Sequence, residues 1–119
     1  MLIKQLECCK EFIAGDLTVL REILHPSKEN LKIHYSLAHA KVSPGKSSVD
    51  HKLKTSEVYY ILEGKGIMYI DGKAAEVAAG ATIYIPPGAV QRIHNTENSE
   101  LMFLCIVDPP WREEEEEII

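Results

Sequence analysis

The chain has few cysteines, no surplus of positive charge and no long apolar run. Each absence removes a class of function. Three cysteines cannot build a disulfide framework: Cys8 and Cys9 are adjacent and would close only a strained bridge, and Cys105 sits alone in an apolar stretch. They read as reduced thiols in a cytoplasmic protein, since structural disulfides belong to oxidising compartments. The Cys8-Cys9 pair has no activating partner in sequence that would make it a redox centre. The net charge of −5 offers no basic face to replace counterions on a phosphate backbone, so no nucleic-acid partner is expected. No segment approaches the roughly 20 apolar residues that span a bilayer. Nor does the N-terminus read as a secretory signal, because no basic region precedes an apolar one. The expectation is a cytoplasmic protein with no membrane partner.

The 119 residues suit one domain with a single hydrophobic core, 1–119. Glycine and proline divide the chain into short apolar runs. Ala14-Gly15-Asp16 is a turn signal. Leu17 to His25 is ambiguous: Leu17, Leu20 and Leu24 fit a helix, whereas Leu17, Val19 and Ile23 fit a strand. The extended reading is preferred because a barrel needs strands here, and His25-Pro26 stops the element either way. Leu31 to Val42 reads as one long strand, which would place His34 and His39 on opposite faces. Glu63 to Gly66 reads as a turn. Asp71-Gly72 predicts a hairpin, since both residues tolerate positive φ. Pro86-Pro87-Gly88 is a rigid corner. Leu101 to Val107 is nearly all apolar and predicts a strand buried on both faces. Five consecutive glutamates, 113–117, repel one another, so the tail 112–119 should be solvated. Short strands with turns about every ten residues indicate an all-β barrel or sandwich.

Two Gly-bounded blocks lie between residues 45 and 95. The first holds Gly45, His51, Leu53, Glu57 and Gly64; the second holds Gly80, Pro86, Gly88, Gln91 and Asn95. Their order and spacing resemble the two motifs of the cupin superfamily. In the family's pattern the positions of Leu53 and Gln91 are histidines. The flanks resemble small bacterial and archaeal single-domain cupins. The resemblance implies a jelly-roll-like β-barrel, the cupin double-stranded β-helix, with His51, Glu57 and Gln91 pointing at one spot inside it.

His51 offers an imidazole nitrogen and Glu57 a carboxylate, both suited to a transition metal. Gln91 offers only an amide oxygen and Leu53 nothing. The expected metal set is therefore His51, Glu57 and Gln91. It would hold a divalent transition metal (Zn, Fe, Mn or Ni) weakly or not at all. Without metal, the three groups would hydrogen-bond one another or a small ligand. Strand parity puts Tyr59 on the same inward face as Glu57, and either could move a proton as a catalytic group. It turns His94 away. His25 is expected to be exposed. Tyr35, Tyr60, Tyr69 and Tyr84 are expected to pack on strands, and Trp111 across the barrel or a subunit boundary. Two functions follow. One is a metal-dependent enzyme, dioxygenase- or isomerase-like, on a small organic substrate. The alternative is a non-catalytic barrel that binds a small molecule or serves structurally. No Arg or Lys cluster is evident to take a sugar phosphate. An exposed sheet edge is a template for pairing, so a homodimer in which an N-terminal strand extends the partner's sheet is expected.

Overall fold

The computed structural model describes residues 1–119. Eleven strands carry the chain: β1 (Glu11–Ile13), β2 (Val19–Leu24), β3 (Ser36–Val42), β4 (His51–Leu53), β5 (Ser56–Glu63), β6 (Lys65–Ile70), β7 (Lys73–Ala78), β8 (Thr82–Ile85), β9 (Gln91–Asn95), β10 (Leu101–Asp108) and β11 (Glu116–Ile118). Two short 3-10 turns, Leu6–Cys8 and Glu113–Glu115, precede β1 and β11. The strands form two antiparallel sheets, one six-stranded in the order β1-β2-β3-β10-β5-β8 and one five-stranded in the order β11-β4-β9-β6-β7. The expected all-β barrel is present, and no helix is long and apolar enough to cross a membrane.

Alternation of side chains builds the core. In β10, Leu101, Phe103, Cys105 and Val107 point inward and are buried, while Met102, Leu104 and Ile106 point outward. They meet Ala40 and Val42 of β3, Tyr59 and Ile61 of β5, Met68 of β6 and Ile93 of β9. The expectation that β10 is buried on both faces is thus corrected: Ile106, on the outer face of the six-stranded sheet, is 37 % exposed. Tyr60 and Tyr84 lie on that outer face and are also exposed. Tyr69 instead lies beneath the Arg92 guanidinium, 4.0 Å from its ring centre.

The turns follow their residues. Asp71 and Gly72 both take positive φ and close the β6–β7 hairpin. Gly64 alone makes the β5–β6 corner, at φ +93. Gly66, expected in that turn, is inside β6, where an added Cβ would lie 2.3 Å from the His94 carbonyl oxygen. Only a residue without a side chain lets β6 and β9 approach so closely.

Three expectations are corrected at the edges of the sheets. The long strand from Leu31 is confined to β3, so His34 lies outside any strand and His39 alone is buried, on the outward face beside Arg21 and Leu104. His25 is buried, not exposed. The Ser27 amide donates to its Nδ1 at 3.2 Å, so its Nε2 carries the proton and donates to the Trp111 carbonyl at 2.8 Å. The glutamate tail is not wholly solvated. Its backbone pairs with β4, Glu116 opposite Leu53 and Ile118 opposite His51, which satisfies an edge that would otherwise be open. Residues 1–14 also gain structure: β1 pairs with β2, and Arg21 donates to the carbonyls of Leu6 and Cys9.

Candidate functional site

Three short strands deliver the inward side chains. Parity on β4, β5 and β9 turns His51 and Leu53, Glu57 and Tyr59, and Gln91 toward the interior. His51 and Gln91 face each other directly across β4 and β9. All five side chains are buried. The expected residues are therefore brought together, and His94 lies outside the group.

The polar atoms form a chain. The Tyr59 hydroxyl donates to Gln91 Oε1 at 3.0 Å, and Gln91 Nε2 donates to Glu57 Oε1 at 3.0 Å. Both ends of the Gln91 amide are thereby satisfied. The ring of Phe103 lies against Tyr59, with centres 4.5 Å apart. His51 Nδ1 is 2.8 Å from the Val49 carbonyl oxygen. A carbonyl can only accept, so Nδ1 carries hydrogen, and in the neutral ring Nε2 is a bare acceptor.

Asp16 completes the group and was not singled out in the sequence. It sits between β1 and β2 with Oδ2 3.4 Å from His51 Nε2. Its other oxygen accepts from the Thr18 amide at 3.1 Å and the Thr18 hydroxyl at 2.7 Å. Leu17 between them adopts φ 75, an uncommon conformation for a residue with a side chain. From the other end of the chain Glu116, on β11, borders the same space. The Ala14-Gly15-Asp16 signal located the turn, but no pattern marks an aspartate that folds back into a barrel. Glu116 was hidden by its place in a run of like charges.

The cavity holds about 160 Å³ and is lined by Asp16, His51, Glu57, Tyr59 and Glu116 among apolar walls that include Leu20, Ala38, Phe103 and Trp111. Burial without a cation pushes the Glu57 carboxyl up to about 8, with Asp16 and Glu116 adding to the shift and the Gln91 bond opposing it. Burial likewise raises the Tyr59 hydroxyl and the Cys105 thiol well above their ordinary values. Glu116 is raised by burial and by Asp16, and His51 partly offsets this. The cations near the motifs lie elsewhere: Arg92 pairs with Asp50 and Lys52 with Glu117.

For a metal, His51 Nε2 is the free nitrogen and the second oxygen of Glu57 the free carboxyl atom. Gln91 offers only a neutral amide oxygen, one lone pair of which already accepts from Tyr59. No three His, Cys, Asp or Glu side chains converge so as to hold an ion. The donor set thus fits a transition metal poorly.

A carboxyl raised in the folded state keeps a proton that the unfolded chain releases near pH 4. Its contribution to stability is full below that pH, declines as pH rises and is gone above about pH 8. The slope is at most about 1.4 kcal/mol per pH unit. Glu57→Gln is neutral throughout. In urea unfolding at pH 5 and pH 8, the wild type should therefore lose stability relative to Glu57→Gln as pH rises. Parallel pH dependence of the two proteins would contradict the assignment.

Comparison with known proteins bears on the same segment. The Cupin domain family model matches residues 38–107, which contain every inward residue of β4, β5 and β9. An uncharacterized protein of Methanocaldococcus jannaschii is 43 % identical over 92 % of this chain and 88 % of its own length. The oxalate-binding protein of Thermotoga maritima is 37 % identical over 59 % of each chain. The crystal structure of a predicted oxalate decarboxylase from Thermotoga maritima superposes with a TM-score of 0.79 at 24 % identity, covering 91 % of this chain and 99 % of that one. With the two sheets, the inward residues and the family match in agreement, the chain belongs to the cupin family.

Proposed function

We infer that the barrel binds a small organic molecule in its cavity and that Glu57, as a neutral carboxylic acid, exchanges a proton with it. The observation that carries this reading is the buried chain Tyr59–Gln91–Glu57, which ends in an enclosed space rather than at a structural partner. A proton donor near neutral pH is what general acid–base chemistry requires. Tyr59 is a positioning residue, because its hydroxyl proton is committed to Gln91. The name of the Thermotoga oxalate-binding relative favours small-molecule binding as well. Metal-dependent chemistry at His51, Glu57 and Gln91 is less well supported, since Gln91 offers only a neutral amide oxygen that already accepts from Tyr59 and Leu53 offers no donor. Small fragments titrated into labelled protein should shift the amides of Glu57, Tyr59 and Cys105, and Ala38→Phe, which fills the cavity, should abolish the shifts. Glu57→Gln should retain binding but lose the buffer-dependent heat of proton exchange. Shifts confined to the outer sheet face, or binding that survives Ala38→Phe, would refute the reading.

The homodimer is proposed to form through the outer face of the six-stranded sheet. Val58 and Tyr60 of β5, Tyr84 of β8 and Leu104 and Ile106 of β10 make this face apolar, and Tyr84 is 61 % exposed. Monomers seldom leave such faces uncovered. Because β1 is seated on its own β2, this arrangement is favoured over strand exchange. Sedimentation equilibrium should give a mass near twice 13.4 kDa, falling to one chain in Ile106→Lys. A single-chain mass for the wild type rejects the dimer. A dimer that survives Ile106→Lys but not removal of residues 1–13, which takes away β1, would instead indicate exchange.

A further inference from the structure

The charges around the cavity are one-sided. Asp16, Glu22 and Glu116 line it beside the neutral acid Glu57, against one lysine, Lys28, whose Nζ lies 2.6 Å from Glu22 Oε1 and is already paired. No arginine lines it. Asp16 is buried, and its one ion-pair neighbour is His51. The His51 side chain is 2 % exposed, and Nε2 makes no hydrogen bond. Asp16 Oδ2 and His51 Nε2 lie 3.4 Å apart on the cavity wall, and neither makes a hydrogen bond.

We propose that this end of the cavity recognises a small ligand carrying a protonated amine, held by Asp16 and His51, with its hydrocarbon body against Leu20, Ala38, Phe103 and Trp111. The proposal rests on the cavity being a ligand site. An ammonium has N–H donors and no acceptor, and so can serve Asp16 Oδ2 and His51 Nε2 at once. Glu116, half-buried at the same mouth, adds to the negative field. A dianion such as oxalate or a sugar phosphate would meet these carboxyls with no free cation to receive it. A bare metal ion is disfavoured because three ligating side chains do not converge. The volume limits the body: an apolar cavity of about 150 Å³ accommodates benzene, and this one measures about 160 Å³.

The test compares benzylamine, benzyl alcohol, oxalate and glucose 6-phosphate by calorimetry, with the His51 ring resonances reporting the location. Benzylamine should bind most tightly and shift the His51 ring. Asp16→Asn keeps an oxygen for Thr18 and should weaken benzylamine about tenfold, the loss expected for one charge-assisted bond, while leaving benzyl alcohol unchanged. If Asp16→Asn does not fold, Glu116→Gln is the second variant, and it should weaken benzylamine and spare the alcohol. The proposal falls if benzyl alcohol, oxalate or glucose 6-phosphate binds as tightly as benzylamine. It also falls if neither variant weakens the amine. Binding of the alcohol alone would overturn amine recognition but retain the cavity as a ligand site. Entry of none of the four probes would overturn both.

Discussion

Gln91 has two amide atoms to satisfy inside a barrel, and it satisfies both against side chains of one neighbouring element, Tyr59 and Glu57 of β5. The rest of the interior depends on that arrangement. The amide draws the carboxyl and the phenol into fixed positions without any charge to stabilise them. Glu57 then has burial and the field of Asp16 and Glu116 against it, and only one neutral hydrogen bond in its favour. The least costly state of such a carboxyl is the protonated one. A barrel with histidine at the position of Gln91 would present a metal ligand there. This one presents a bridge between two hydrogen-bonding groups.

Both ends of the chain close the cavity. The β1–β2 turn carries Asp16 down to His51, and the Thr18 bonds to its other oxygen keep it there. The C-terminal tail lays β11 on the edge of β4 and brings Glu116 to the same opening. His25 ties the two together: it follows β2 and donates to the carbonyl of Trp111, which lines the cavity. The strands of the two motifs supply the floor of the site, and the segments outside them supply its mouth. What enters is therefore decided largely by residues that the motifs do not contain.

That division also explains what could be read in advance. Period-two alternation and Gly-Pro punctuation are local properties, so most strands and the Asp71-Gly72 hairpin were legible from spacing, while the inward set His51, Glu57 and Gln91 was legible through the resemblance to the two cupin motifs, with Tyr59 added by strand parity. Asp16, His25 and Glu116 were not. Each is a polar residue beside a turn or within a charge run, and each is wholly or partly buried only through a partner remote in sequence: His51, Trp111 and the edge of β4. The tail shows the limit most clearly. Five like charges favour solvation locally, yet an open strand edge offers backbone partners that alternate those side chains between cavity and water. The apolar β10 erred the other way, because composition does not say which face a neighbouring strand or sheet will cover.

The account stands on Glu57 being a neutral acid inside the barrel at neutral pH. Carbon-detected titration of its side-chain carboxyl, assigned by comparison with Glu57→Gln, measures this directly. The resonance should move between its protonated and ionised positions near pH 8. A midpoint in the ordinary carboxylate range, near pH 4, would contradict it.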